Sequence, residues 1–255
     1  MNVSKSFEYK RLVETVKESY RNCDNDSEMG WCDIEDGEDL CREINLWTYW
    51  QGFGYAENTP HIKYLVVGQD FGPIKKEEQS VALDNVRKLN SSGRYSLDKG
   101  ELMFHTGIDL NIRDAQTDKK LIELFDILGY KEIDKKPYSD LFFTNYCLGY
   151  RNNNKLSGPV KSSVINRDRE HIKTLIDILE PDNIITLGAI ATRGVLKVLK
   201  VDYNKKQKFK DLIGETYTYN GSRIFASAHT GYWGVRNRGN EKVTEDWQNI
   251  RSCAK

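Results

Sequence analysis

Four short apolar runs constrain this chain more than any other feature, because each ends in a small or polar residue and all are separated by stretches of helical period. They are Tyr64-Leu65-Val66-Val67 before Gly68, Leu141-Phe142-Phe143-Thr144 before Asn145, Asn183-Ile184-Ile185-Thr186-Leu187 before Gly188, and Arg223-Ile224-Phe225-Ala226-Ser227-Ala228 before His229. Near-continuous apolar runs of this length are the pattern of strands buried on both faces of a parallel sheet. Such strands need helical crossovers, and the intervening sequence supplies them. Val81, Val86 and Leu89 suggest a first helix, and Leu121, Ile122, Leu124, Phe125 and Leu128 a second that Gly129 ends. A third runs from about 165 to 180 with Ile172, Leu175, Ile176 and Leu179 inward and Pro181 after it; a fourth covers 189–199. Val243, Trp247 and Ile250 mark a terminal helix.

Strands alternating with helices predict an α/β fold: a three-layer α/β/α sandwich around a four-stranded parallel sheet. A chain of 255 residues fits one such domain, assigned to 61–255, with an N-terminal helical and loop extension over 1–60 packed on it. Within the extension, Leu12, Val13 and Val16 give an amphipathic helix over 7–21, followed by an acidic, aliphatic-poor loop. The aromatic segment 46–55 is read as laying the extension onto the core, with base stacking as the other reading. Residues 91–113, rich in Gly, Ser and charge, read as an irregular insertion.

In an open parallel sheet, ligands sit in the crevice outside the carboxyl ends of the strands. That rule brings Gln69, Asp70, Asn145 and His229 to one place. Each has an ordinary explanation alone: a helix cap, a turn hydrogen bond, a structural imidazole. Together on one sheet edge they are read as a site.

Composition narrows the setting. Lys plus Arg and Asp plus Glu both number 38, so no whole-molecule field draws the protein to nucleic acid, although a local basic face is open to it. No apolar run is long enough for a membrane span, and the start has no signal-peptide core. Five cysteines, an odd number, suit a reducing cytoplasm. Cys23, Cys32 and Cys41 lie nine apart without a C-x-x-C pair, which favours unconnected thiols; a metal or cluster completed by Cys147 is the other reading. Neither a G-x-G-x-x-G nor a G-x-x-x-x-G-K-[ST] loop occurs, which counts against an enzyme acting on nucleotide phosphates.

The motifs at the strand ends resemble those of the uracil-DNA glycosylase superfamily. Gln69 and Asp70 after Gly68, Thr144-Asn145, the run PDNIITLGAIA and Ser227-Ala228-His229 occur in the right order and spacing, from about 64 to 247. The first is similar to the GQDPY motif of the uracil-specific enzymes, whereas Gly72-Pro73 is closer to the single-strand-selective and mismatch-type members. VTEDWQNI resembles the closing helix of the thermophilic-type branch. Residues 1–60 are outside the resemblance.

What the resemblance implies is a monofunctional DNA glycosylase, an expected monomer with no cofactor and no metal, acting on DNA that contains uracil or a damaged base. The base would be flipped from the duplex and its Watson–Crick edge read in a pocket. Asn145 would read O4 and N3–H, since an amide both donates and accepts. Asp70 would stabilise the oxocarbenium-like sugar and direct a water to C1′. His229, neutral, would donate to O2 of the leaving base. Gln69, Phe71 and Gly72 would line the pocket, with Phe71 or Phe104 as the stacking ring. Two departures stand out: the family's Pro-Ser after the histidine is Thr230-Gly231 here, and its apolar wedge is Tyr232-Trp233. These rings would push into the duplex, with core packing as the alternative. Arg236 and Arg238 would hold the flanking phosphates. A member that kept DNA binding and lost the chemistry is the competing expectation.

Overall fold

The computed structural model describes residues 4–21, 29–30, 59–70, 115–133, 138–151 and 160–255. Among these, the chain runs α1 (Lys5–Arg21), β1 (Met29–Gly30), β2 (Tyr64–Gly68), α2 (Ala115–Leu128), β3 (Leu141–Asn145) and β4 (Tyr150–Arg151). It continues through α3 (Ser162–Leu179), β5 (Asn183–Leu187), α4 (Gly188–Val198), α5 (Phe209–Leu212), β6 (Thr216–Tyr219), β7 (Ser222–Ser227), α6 (Tyr232–Arg238) and α7 (Asn240–Cys253).

The main sheet has the order β3-β2-β5-β7-β6, with the first four strands parallel and β6 antiparallel to β7. The fold is therefore α/β as expected, but among the described residues the sheet has five strands rather than four. The addition is an edge hairpin. Asn220 and Gly221 join β6 to β7 with φ of 46° and 91°, the doubly positive geometry of a two-residue turn that Asn-Gly favours.

Every residue of β2, β3 and β5 is buried, and their side chains alternate between two apolar cores. Leu65, Val67, Phe142, Ile184 and Ile224 join one core with Tyr9, Leu12, Val13 and Val16 of α1 and the inward faces of α3 and α4. Tyr64, Val66, Phe143, Ile185 and Phe225 join the other with Leu121, Leu124 and Phe125 of α2 and Val243, Trp247 and Ile250 of α7. Helices thus cover both faces. Trp247 is fully buried, stands edge-on to Phe125 at 6.0 Å and donates its indole N–H to Ser227 Oγ at 2.8 Å. Burying a side chain of that size contributes roughly 3 kcal/mol, and its one polar atom is satisfied.

β1 and β4 form a separate two-stranded antiparallel ladder, with Met29 opposite Arg151 and Gly30 opposite Tyr150. Among the described residues no helix is long and apolar enough to cross a membrane. The expected helix around Val81–Leu89, the aromatic segment 46–55, the insertion 91–113 and the residues Phe71, Gly72, Phe104, Cys23, Cys32 and Cys41 lie outside the described residues.

Candidate active site

The chain reverses direction across the sheet between β2 and β5, since β3 lies on one side of β2 and β5 on the other. Ligand crevices of open α/β sheets form at such a point. Asp70 stands two residues past the end of β2, and His229 two residues past the end of β7. Asn145 is the last residue of β3, directly opposite Gly68.

Asn145 is buried, and its amide lies against Gly68 so closely that a β-carbon there would sit 2.2 Å from Oδ1. Glycine is required at 68 for that approach. The loop beyond Asn145 is tied to the loop beyond β2: Tyr146 N–H donates to Gly68 O at 2.8 Å, and Cys147 N–H to Gln69 O at 2.9 Å. Leu148 N–H donates to Asp168 Oδ2 at 2.8 Å, so α3 holds the same loop from beneath.

Asp70 is held by a fork. Arg151 donates through Nε to Oδ1 at 2.9 Å and through Nη2 to Oδ2 at 2.8 Å, and Gln69 Nε2 adds a third bond to Oδ2 at 2.9 Å. The two charged side chains are 5% and 7% exposed, so this is a buried, bidentate pair. Arg151 carried no sequence signal: it sits in a polar stretch and in a strand of two residues, too short to show any period.

His229 is partly buried, and its ring is fixed by its own loop. Gly231 N–H donates to Nδ1 at 2.9 Å, which makes Nδ1 an acceptor and leaves the neutral ring's proton on Nε2. Burial holds its pKa below the ordinary value, opposed by the negative charge of Asp70, which therefore lies within electrostatic reach. A β-carbon on Gly234 would come within 2.0 Å of His229 O, so α6 packs directly on the histidine's backbone. One on Gly231 would meet Thr117 Oγ1 at 3.4 Å, which places the first turn of α2 beside the ring. The neighbouring Thr230 is buried, and its hydroxyl has no partner among the described residues.

Beyond the histidine, α6 carries Tyr232 and Trp233, 53% and 64% exposed, so the core-packing alternative for these rings fails. The two rings stand edge-to-face at 5.1 Å. The Arg236 guanidinium lies 5.8 Å from the Tyr232 centroid and 5.4 Å from that of Trp233, and Nη1 donates to Tyr232 Oη at 3.1 Å. Two exposed rings with a cation beside them form a surface suited to stacked bases and phosphate. Arg238 is placed differently, since its own fork grips Asp246 of α7 at 2.8 and 2.7 Å. It caps the junction between α6 and α7.

Asp168 was not anticipated. It is fully buried on α3, accepts the Tyr20 hydroxyl and the Leu148 amide, and lies 3.5 Å from Arg167 Nε. Arg167 in turn stacks over the Tyr20 ring at 3.8 Å. A signal was present: Asp168 lies four residues from both Val164 and Ile172, so it occupies the apolar stripe of its helix. Burial raises its pKa, and it raises that of Tyr20 as well. Cys147, fully buried in the same loop, has its thiol pushed far above the ordinary value by burial, the opposite of a metal-binding thiolate. Among the described residues no cluster of His, Cys, Asp and Glu could hold a metal ion.

Compared with models of known protein families and with curated proteins, the chain matches none.

Proposed function

We propose that this protein is a monofunctional DNA glycosylase of the uracil-DNA glycosylase type, working as a cytoplasmic monomer on DNA that contains uracil or a related deaminated or C5-modified base. What carries the proposal is the His229 tautomer. A backbone amide occupies Nδ1, so a neutral ring presents Nε2–H, the donor that a leaving uracil O2 requires as it gains negative charge. Burial disfavours the charged ring, in keeping with a neutral donor. Asp70, within electrostatic reach, is the acceptor for the water that attacks C1′, and its charge offsets the positive charge growing on the sugar. Asn145, clamped against Gly68, has the donor and acceptor that match the N3–H and O4 edge. Tyr232, Trp233 and Arg236 would occupy the gap left by a flipped nucleotide and hold a phosphate beside it. A single assay tests the proposal: an oligonucleotide with one uracil, incubated with the protein and then treated with alkali, should break at that position.

A second reading is a DNA-binding protein of the same fold without the chemistry. It is favoured by the Arg151 fork, which neutralises the carboxylate that the reaction would use. Binding of uracil-containing DNA without any alkali-labile product would select it.

A further inference from the structure

We infer that Arg151 is a positioning residue for the Asp70 carboxylate, and that β1, from the N-terminal region, sets Arg151 in place, so that this region is part of the site. The inference rests on the proposed glycosylase activity only for what the carboxylate does, not for how it is held. A carboxylate as deeply covered as Asp70 is costly to hold ionised, by several kcal/mol, and losing its charge partner favours uptake of a proton. A protonated carboxyl turns from acceptor to donor and cannot draw a proton from water. The guanidinium fork prevents this, and its two bonds fix the rotation of the carboxylate plane, which a point charge would leave free. The five-stranded sheet does not supply Arg151. It comes from β4, whose partner among the described residues is β1, with Met29 directly across from Arg151. Among the described residues, the titratable groups whose electrostatics register the pair are His229, whose pKa burial lowers, and Cys147, whose thiol burial raises beyond the working range. Neither masks a carboxyl titration.

The test uses the full chain with aspartate labelled at the carboxyl carbon, and follows the Asp70 titration by NMR beside single-turnover excision of uracil. Arg151→Met should move the Asp70 midpoint up by about one to three units, the shift that an opposite charge at this distance sustains. It should slow excision at least tenfold, with the Kd for DNA unchanged. Arg151→Lys should restore most of the midpoint but not the rate, because an ammonium lacks the fork. Replacing both Met29 and Gly30 by proline, which cannot donate to the ladder, should shift the midpoint in the same direction. An unmoved Asp70 midpoint in Arg151→Met overturns the inference, and so does excision as fast as, or faster than, the parent. Should that variant fail to fold, Arg151→Lys decides by its rate relative to the parent. If the parent excises nothing, the glycosylase proposal falls while the carboxyl titration still decides how Asp70 is held.

Discussion

Gly68 and Asn145 are direct partners across the β2–β3 ladder, and a β-carbon on the first would lie 2.2 Å from the amide oxygen of the second. The oxygen is the free end of a short side chain, so it can swing away at small cost to the fold. Gly68→Ala should therefore leave the melting temperature within a few degrees of the parent while moving the amide off the base edge. Discrimination between uracil and cytosine should fall as it does in Asn145→Ala. Intact discrimination in Gly68→Ala would mean that Asn145 does not read the base.

Asp70→Asn keeps the shape of the side chain but presents an amide to Arg151 and removes the charge. Single-turnover excision should drop roughly a hundredfold or more, while affinity for the same oligonucleotide stays near that of the parent. An unchanged rate would take Asp70 out of the chemistry.

For His229 the expectation concerns both rate and titration. His229→Ala should cost roughly a hundredfold in excision, the scale of one lost donor to a developing anion. In the parent, nitrogen NMR should show an Nε2–H tautomer that titrates below the ordinary 6.5 because the ring is buried. The sign for stability follows: with the folded pKa lowered, the contribution is complete above 6.5 and is lost as pH falls toward the folded value. A midpoint at or above 6.5 would refute the neutral donor.

The buried Asp168 sets a stability prediction. Asp168→Ala leaves the Tyr20 hydroxyl, the Leu148 amide and the Arg167 guanidinium without their shared acceptor. A loss of about 3–5 kcal/mol is expected, read as a lower urea midpoint at constant slope. A loss below about 1 kcal/mol would show that water replaces the carboxylate.

Base range turns on Gly72, which lies outside the described residues and is argued from sequence alone. The uracil-specific enzymes carry a Tyr two residues after the catalytic Asp, crowding the C5 edge of the base; Gly72 has no side chain to do so. The parent should excise hydroxymethyluracil, and Gly72→Tyr should abolish that activity while sparing uracil. A parent confined to unsubstituted uracil would make another ring, such as Phe71, the gate.

The four parallel strands were legible in the sequence because burial on both faces forces uninterrupted apolar runs, and the small or polar residue after each run marks its carboxyl end. β6 was not legible as a buried run, since its four residues alternate between exposed and half-buried, and only the Asn220-Gly221 pair announces the hairpin. Asp168 was legible in principle, as an acid on an apolar stripe. Arg151 was not, because no local pattern tells a polar loop which carboxylate it will meet some eighty residues away. The aromatic pair at 232 and 233 is exposed rather than packed in the core, and the helix that carries it had no sequence signal. Seven residues hold too few turns for a period to emerge.

β2 lies between β3 and β5, and both of these neighbours come later in the chain. As the protein is synthesised, Tyr64-Leu65-Val66-Val67 leaves the ribosome long before Leu141–Asn145 and Asn183–Leu187 exist to cover it. The segments after residue 183 need no such wait, since β5, α4, β7 and β6 neighbour one another in sequence as well as in space. Long-range parallel pairing is slow in folding, and a strand whose edges are still unpaired is exposed to aggregation while it waits. β2 thus has neither strand partner until residues 141–187 have been made, and pairing with them is what sets Asp70 beside the ends of β3 and β5. The nascent chain completes its candidate site only when this strand is paired on both sides.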